Sequence, residues 1–144
     1  MRPDGGEAQV LSKHDAAIGN HEWAPDGSTI VFTAPEGEEA ATKARTDRYG
    51  EFTVVRRDYR YAHLWTLSTA EAMKTPAKGR QRTKGTAYHV QAFEVSPDSR
   101  AVAFAATRTP DLVDGGSSDI HVLGLADDRT RTIVAQRGPD TDPR

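Results

Sequence analysis

Two stretches of the chain share one pattern of apolar and polar positions. Residues 21–34 read HEWAPDGSTIVFTA and residues 93–106 read FEVSPDSRAVAFAA, and the two match when they are set 72 positions apart. In each, a Pro-Asp turn is followed by a run of β-branched, aromatic and small apolar residues, which is typical of a returning β-strand. The pattern therefore predicts two copies of one β unit.

The turn in the first copy has a physical basis in three residues. Pro25 presets φ at the first corner, Asp26 can bond back to the backbone, and Gly27 accepts a positive φ. The strand predicted over residues 29–34 is fairly apolar on both faces. Such a strand is expected to lie between neighbouring sheets rather than against water.

Further strands are predicted in each copy after the repeated stretch. Residues 59–67 and 119–125 are third strands in which Trp65 and His121 hold the same place, which favours a packing role for that histidine. Each unit thus has strand, Pro-Asp turn, strand, loop, strand, tight turn and strand, an antiparallel meander. The other predicted elements are an outer strand over residues 7–13, a strand-like patch at 52–55, a fourth strand over 130–135, and at most two helical turns over 38–45.

The repeated stretches carry a family resemblance. WAPDGSTIVFTA and VSPDSRAVAFAA resemble the Pro-Asp-Gly repeats of TolB-like and WD-type β-propellers, in which each repeat is one four-stranded blade. Together with RRDYRYAHLWTL and GTAYHVQAF, they make the chain similar to the N-terminal propeller of the prolyl oligopeptidase family of serine peptidases, in its dipeptidyl and acylaminoacyl peptidase group. The resemblance implies an all-β fold, a β-propeller fragment of about two four-stranded antiparallel blades.

The resemblance also implies a layout for residues 1–144 as a partial propeller. The segments are 7–20, the outer strand of a preceding blade; 21–92, a blade with an insertion at 35–58; 93–137, a second blade; and 138–144, the start of a further blade. Two blades leave open edges and sheet faces, so marginal stability or self-association is expected.

No catalytic residue can be carried over from the family. Its hydrolase domain has a Gly-x-Ser-x-Gly elbow followed by Asp and His. Here Gly115-Gly116-Ser117-Ser118 is followed by Asp119 where the second glycine belongs. We expect a non-catalytic scaffold and substrate-gating segment. Its expected partners are further blades and an α/β-hydrolase domain of a longer protein, or other copies of itself, with a peptide as the possible substrate.

A stand-alone TolB-like binding module is the alternative function. In that case the insertion at residues 35–58 contacts a partner protein, because long loops often carry function. Some dipeptidyl peptidases hold a substrate's amino terminus with propeller glutamates. Glu36, Glu38 and Glu39 form an acidic cluster in this insertion, but the sequence context of that motif is missing.

Metal and cofactor chemistry finds little support. Gly19-Asn20-His21-Glu22 matches one block of a metallophosphoesterase, but the further aspartate and histidine blocks of a two-metal centre are missing. The other histidines, His14, His63, His89 and His121, are not paired at metal-ligand spacing, and there is no cysteine. We therefore predict no metal, no cofactor and no catalytic residue.

Charge and composition limit the partners. The chain has 19 basic and 21 acidic residues, a net charge of −2, which argues against binding to nucleic acid or anionic membranes. Five basic residues between 73 and 85 lack interleaved aromatics and fit a solvated hairpin better than a nucleic-acid arm. No signal peptide or membrane-spanning run is present, so a cytoplasmic location is predicted.

Overall fold

The structure, a computed structural model, describes residues 7–37, 40–52, 54 and 58–143. It consists mainly of two four-stranded antiparallel sheets, each with its strands in sequence order. This confirms the prediction of an all-β chain with two four-stranded meanders. The first sheet contains β1 (His21–Trp23), β2 (Thr29–Pro35), β3 (Ala62–Ser68) and β4 (Arg80–Gln81); the second contains β5 (His89–Val95), β6 (Ala101–Thr107), β7 (Asp119–Gly124) and β8 (Thr130–Val134).

The two Pro-Asp turns have the predicted geometry. Asp26 Oδ1 accepts a hydrogen bond from the Ser28 amide at 2.9 Å, and Asp98 Oδ1 accepts one from the Arg100 amide at 3.1 Å. The residue after each aspartate lies in the left-handed region, with φ of 70° at Gly27 and 59° at Ser99. The second turn thus keeps this backbone shape without a glycine.

A helix lies in the insertion where at most two helical turns were predicted. Helix α1 spans Ala40–Tyr49. Its sequence has no apolar stripe, so hydrophobic periodicity could not detect it. Arg45 bridges it to the rest of the insertion, because its guanidinium pairs with Asp58 and lies 5.0 Å from the centre of the Phe52 ring. The remaining helices are α2 (Thr69–Ala72) and a 3-10 helix (Leu112–Ser117).

Several predicted strand boundaries differ from the structure. Over residues 7–13 there is only a single parallel bridge, Ser12 with Ala77, in place of the predicted strand. β5 begins at His89 rather than at residue 93, and β3 begins at Ala62 rather than at residue 59. Of the patch at residues 52–55, positions 52 and 54 lie outside any strand, and positions 53 and 55 lie outside the described residues.

Each sheet has two distinguishable faces, and the sheets pack back to front. We call front the face of the first sheet that carries Ile30 and Phe32, and back the face that carries Val31 and Leu64; the second sheet is named by equivalence, with Phe104 on its front. The main core joins the back of the first sheet to the front of the second. Its members are Ala24, Val31, Leu64, Val90, Val95, Val102, Phe104, Ala106 and Leu123.

The segment before each sheet covers part of that sheet's front face in the same way. The His14 ring packs edge-on against Phe32 and Trp65, at centroid distances of 5.3 and 4.5 Å. Tyr88 packs against Phe104 and His121 at 5.5 and 4.9 Å. Phe32 pairs with Trp65 and Phe104 with His121 across neighbouring strands, which confirms that Trp65 and His121 are equivalent and that His121 packs.

An irregularity in the backbone pairing also recurs in both copies. The Gly19 amide donates to Thr33 O and the Thr33 amide donates to Asn20 O, so that two residues face one. In the second sheet the register shifts between Val90 and Ala92, 72 positions after residues 18 and 20. A bulge at the same place in both copies extends the structural repeat back to residue 18.

We predict that truncating a leucine in the main core destabilises the chain far more than the same truncation on its surface. Leu123 is 0% exposed and Leu112 is 99% exposed. Leu123→Ala should lower the free energy of unfolding by about 2–5 kcal/mol, because it removes buried methyl groups and leaves a cavity. Leu112→Ala should change it by no more than about 0.5 kcal/mol. Urea titrations of both variants test this, and equal effects would contradict the assigned core.

Candidate functional site

A group of buried and half-buried polar side chains lies where β3 and β5 begin. We call the group formed by Glu36, Tyr61, His63, Thr83 and His89 the histidine–glutamate cluster. The Tyr61 ring lies 6.4 Å from both imidazole rings, stacked on His63 and edge-on to His89. The cluster joins the start of the insertion, β3, the connection after β4 and the start of β5.

His63 is the most deeply buried member, with 0% exposure. Its Nδ1 lies 3.2 Å from Thr83 Oγ1, which accepts a hydrogen bond from the Leu64 amide at 3.0 Å. Because that amide is the donor to the hydroxyl oxygen, the hydroxyl hydrogen is free to point at Nδ1. When the hydroxyl donates to Nδ1, the proton of neutral His63 sits on Nε2.

Glu36 faces that nitrogen. Its Oε1 lies 3.4 Å from His63 Nε2, outside hydrogen-bonding geometry, so Nε2 is buried without a hydrogen-bond partner among the described residues. The same oxygen accepts hydrogen bonds from Gln81 Nε2 at 2.7 Å and from the Gly85 amide at 3.0 Å. Burial raises the pKa of Glu36, but these hydrogen bonds outweigh it and the net pKa is lowered.

The histidines of the cluster are held neutral. Burial lowers the pKa of His63, and the nearby Glu36 carboxylate opposes this only in part. Burial also lowers the pKa of His89, whose Nδ1 accepts a hydrogen bond from the Ala62 amide at 3.1 Å. These ring nitrogens face the backbone and neighbouring side chains, so the cluster holds the insertion, β3 and β5 together. Its histidines can take up a proton in acid.

Sequence reasoning missed this cluster. His63 and His89 follow no ligand or catalytic spacing, and only the closeness of β3 and β5 brings them together. The sequence draws attention to Glu36 only within an acidic cluster, and to His63 and His89 only as histidines without metal-ligand spacing. Glu36 faces His63, whereas Glu38 and Glu39 of that acidic cluster lie outside the described residues.

The basic segment at residues 73–85 forms one wall of a cleft of about 380 Å³ between β3, α2 and β4. Lys78 pairs with Asp15 at 2.6 Å, and both Arg80 and Arg82 pair with Asp128 in the β7–β8 turn. Three of its five basic side chains are therefore engaged by carboxylates of this chain.

Arg82 is the most enclosed of these cations. Its side chain is 12% exposed, Nε donates to Thr66 Oγ1 at 2.8 Å, and one terminal nitrogen donates to Leu125 O at 3.1 Å. Since Thr66 belongs to the first sheet and Leu125 follows the second sheet's β7, this guanidinium joins the two sheets.

The serine and metal motifs considered in the sequence have structural contacts instead. Ser117 Oγ donates to Asp114 O, and the buried Ser118 hydroxyl donates to Asp140 O. Within the described ranges, no serine hydroxyl bonds a histidine ring, and no group of three or more His, Asp or Glu is placed to hold a metal ion. The Gly19–Glu22 block makes sheet contacts, since Glu22 Oε2 accepts from the Val95 amide at 3.3 Å.

The connections between the second and third strands of both sheets meet each other. The Tyr59 hydroxyl donates to Asp111 Oδ2 at 2.5 Å, which links the end of the insertion to the β6–β7 connection. That connection presents Leu112 and Val113, which are 99% and 79% exposed. Two adjacent apolar side chains so fully in water are typical of a contact surface.

No protein-family model matches this chain, and no curated protein matches it in sequence. In the described part of the chain, none of the helices has the length and apolar character needed to cross a membrane.

We predict that the free energy of unfolding falls as the pH is lowered from 7.5 to 5.5. The folded state disfavours the imidazolium of His63, so the unfolded state binds more protons between the lowered folded pKa and the ordinary value of 6.5. Stability is then present above that window and is lost as the pH falls through it. Urea unfolding at several pH values measures the slope.

Histidine variants show whether the cluster causes the change of the free energy of unfolding with pH. His63→Gln should make the pH dependence shallower than in the wild type, whereas His89 and His121, whose pKa values burial also lowers, keep part of it. His21→Gln removes one imidazole from an exposed position and should keep the wild-type slope. A wild-type slope in the His63→Gln variant would contradict the role assigned to that residue.

Proposed function

We propose that this chain is a non-catalytic propeller segment of a serine peptidase of the prolyl oligopeptidase type, with a scaffolding and substrate-gating role. The observation that carries the proposal is the back-to-front packing of two like sheets. Blades of a propeller pack in this sense, each sheet presenting its back to the front of the next. The Pro-Asp repeats that resemble this family lie in the first two strands of both sheets.

The polar contacts between the sheets support the same arrangement. Glu22 on the innermost strand of the first sheet accepts a hydrogen bond from the Val95 amide in the second. The Asp26 amide of the first Pro-Asp turn lies 3.2 Å from Ser99 Oγ of the second. Equivalent elements of the two units therefore touch, as they do when repeats are stacked side by side.

The chemistry of the side chains favours a role without turnover. A serine hydrolase needs a base within hydrogen-bond reach of its nucleophile. His63, His89 and His121 each have the ring nitrogen Nδ1 engaged, by Thr83, the Ala62 amide and Thr132 respectively, and none of these partners is a serine hydroxyl. In the proposed role these histidines hold the scaffold, and peptides are sorted by the surface that the segment presents.

A stand-alone TolB-like binding module is the second candidate, and the exposed pair Leu112–Val113 favours it. In that case the joined connections of the two sheets contact a protein partner. The neighbouring reading frame discriminates the two candidates. A downstream Gly-x-Ser-x-Gly elbow with Asp and His supports the peptidase segment, and further Pro-Asp-Gly repeats followed by a stop support the binding module.

We predict that the purified chain does not hydrolyse aminoacyl-nitroanilide substrates. The reason is that its serine hydroxyls have no imidazole base among the described residues. Release of nitroaniline is followed against a buffer blank and against a preparation of a known serine peptidase. Turnover that co-purifies with the chain and is abolished by a serine-directed inhibitor would overturn the non-catalytic assignment.

We further predict that the apolar tip of the β6–β7 connection contributes to contact with a hydrolase domain, should the reading frame encode one. Leu112→Ser with Val113→Ser should weaken association of the separately expressed parts by roughly tenfold or more, because exposed apolar anchors dominate such contacts. Met73→Ser, at a side chain 63% exposed elsewhere, is the control. If the wild type, the double variant and the Met73→Ser control bind equally in calorimetry, the contact lies on another surface.

A further inference from the structure

The front of the first sheet is exposed to water along its first strand, β1, which we call the inner edge. The corresponding strand of the second sheet, β5, is covered by the first sheet. Trp23 is 51% exposed and Ile18 is 41% exposed. Their counterparts 72 positions later, Val95 and Val90, are 4% and 3% exposed, because the first sheet packs on them. The first sheet thus lacks, at this edge, the neighbour that the second sheet has.

The back of the second sheet is open in the complementary way. In the first sheet, Val31 and Leu64 on the back face are 0% exposed, since they form half of the main core. The residues in the same places of the second sheet, Ala103 and Ile120, are only half-buried. The two middle strands present small and β-branched side chains on this face, and Glu94 and Arg131 flank them on the outer strands.

A repeated polar group marks the same two surfaces. Glu22 uses its carboxylate to accept the Val95 amide of the adjoining sheet. Glu94 holds the same place in the second sheet, is exposed, and accepts no hydrogen bond among the described residues. In a contact that copies the internal one, Glu94 would meet the backbone amide of Trp23, the counterpart of Val95.

The chain itself already covers the middle of this front. Leu11, His14 and Ala77 pack on it, and Phe32 is 1% exposed. The inner edge at Trp23 stays open, so contact with a further back face is confined to that edge.

We propose that copies of this chain associate head to tail, the back of the second sheet of one copy packing on the exposed inner edge of the first sheet's front in the next copy. Each chain carries both halves of the contact, and the internal packing supplies its template. A head-to-tail contact closes into a ring when its rotation permits. The inference rests on the proposed blade packing and is independent of any relation to a peptidase.

Complementary variants test this proposal on the purified chain. Trp23→Ala removes the exposed anchor of the front, and Ala103→Glu places a charge on the back. Light scattering after size exclusion should give a discrete oligomer for the wild type. Each variant alone should need at least about tenfold more protein to associate, since loss of a central anchor or a buried charge dominates such contacts. An equal mixture should form a heterodimer that grows no further, because one intact front meets one intact back.

Controls separate loss of contact from loss of fold. Met73→Ser, at a side chain 63% exposed after α2, should keep the wild-type mass. Circular dichroism and urea unfolding check each variant, and Val122→Lys replaces Ala103→Glu if the latter does not fold. A wild-type chain that stays monomeric up to its solubility limit overturns the proposal. So does a mixture that gives no heterodimer, because the copies would then meet through other surfaces. Neither result bears on the turnover assay or on the neighbouring reading frame.

Discussion

The contact between the back of the first sheet and the front of the second is the interaction on which the structure depends. Val31 and Leu64 meet the layer of Phe104 and Leu123, and all four are fully buried. A sheet with two apolar faces has to bury them against other elements, so neither four-stranded unit is expected to be stable by itself. The N-terminal segment meets part of the same requirement on the first sheet's front. There Leu11 packs against the buried apolar residues Ile30, Phe32, Ala34, Leu67 and Ala72.

Hydrogen bonds and ion pairs between the two sheets determine how the sheets are oriented on this apolar layer. Arg82 bonds Thr66 on one side and the Leu125 carbonyl and Asp128 on the other. This ion pair adds little net stability, because Arg82 loses most of its water while Asp128 stays about one-third exposed. It disfavours shifted arrangements in which the enclosed cation is left unpaired. The histidine–glutamate cluster acts similarly where the insertion leaves the first sheet. Apolar burial thus holds the sheets together, and these polar contacts select one orientation.

Local chemistry accounts for what could be predicted from the sequence. The Pro-Asp turns and the alternating strands, with Ile30 and Phe32 on one face, are set by residues close in the chain, and the two meanders follow from them. Helix α1 could not be predicted well because it has no apolar face, and side-chain contacts such as that of Arg45 with Asp58 hold it. The cluster around His63 was invisible because its members come from separate elements and meet only after the sheets form.

The repeated glutamate shows how the first strand of each sheet limits the stacking of the sheets. Burial and the charge of Glu94 raise the pKa of Glu22, and the hydrogen bond from the Val95 amide lowers it. Carboxylates at the same place of two stacked sheets bring like charges together, which opposes stacking. Glu22 is half-buried where the Val95 amide faces it, whereas Glu94 is exposed to water. The same side chain therefore opposes close stacking in general and favours the one register in which a backbone donor faces it.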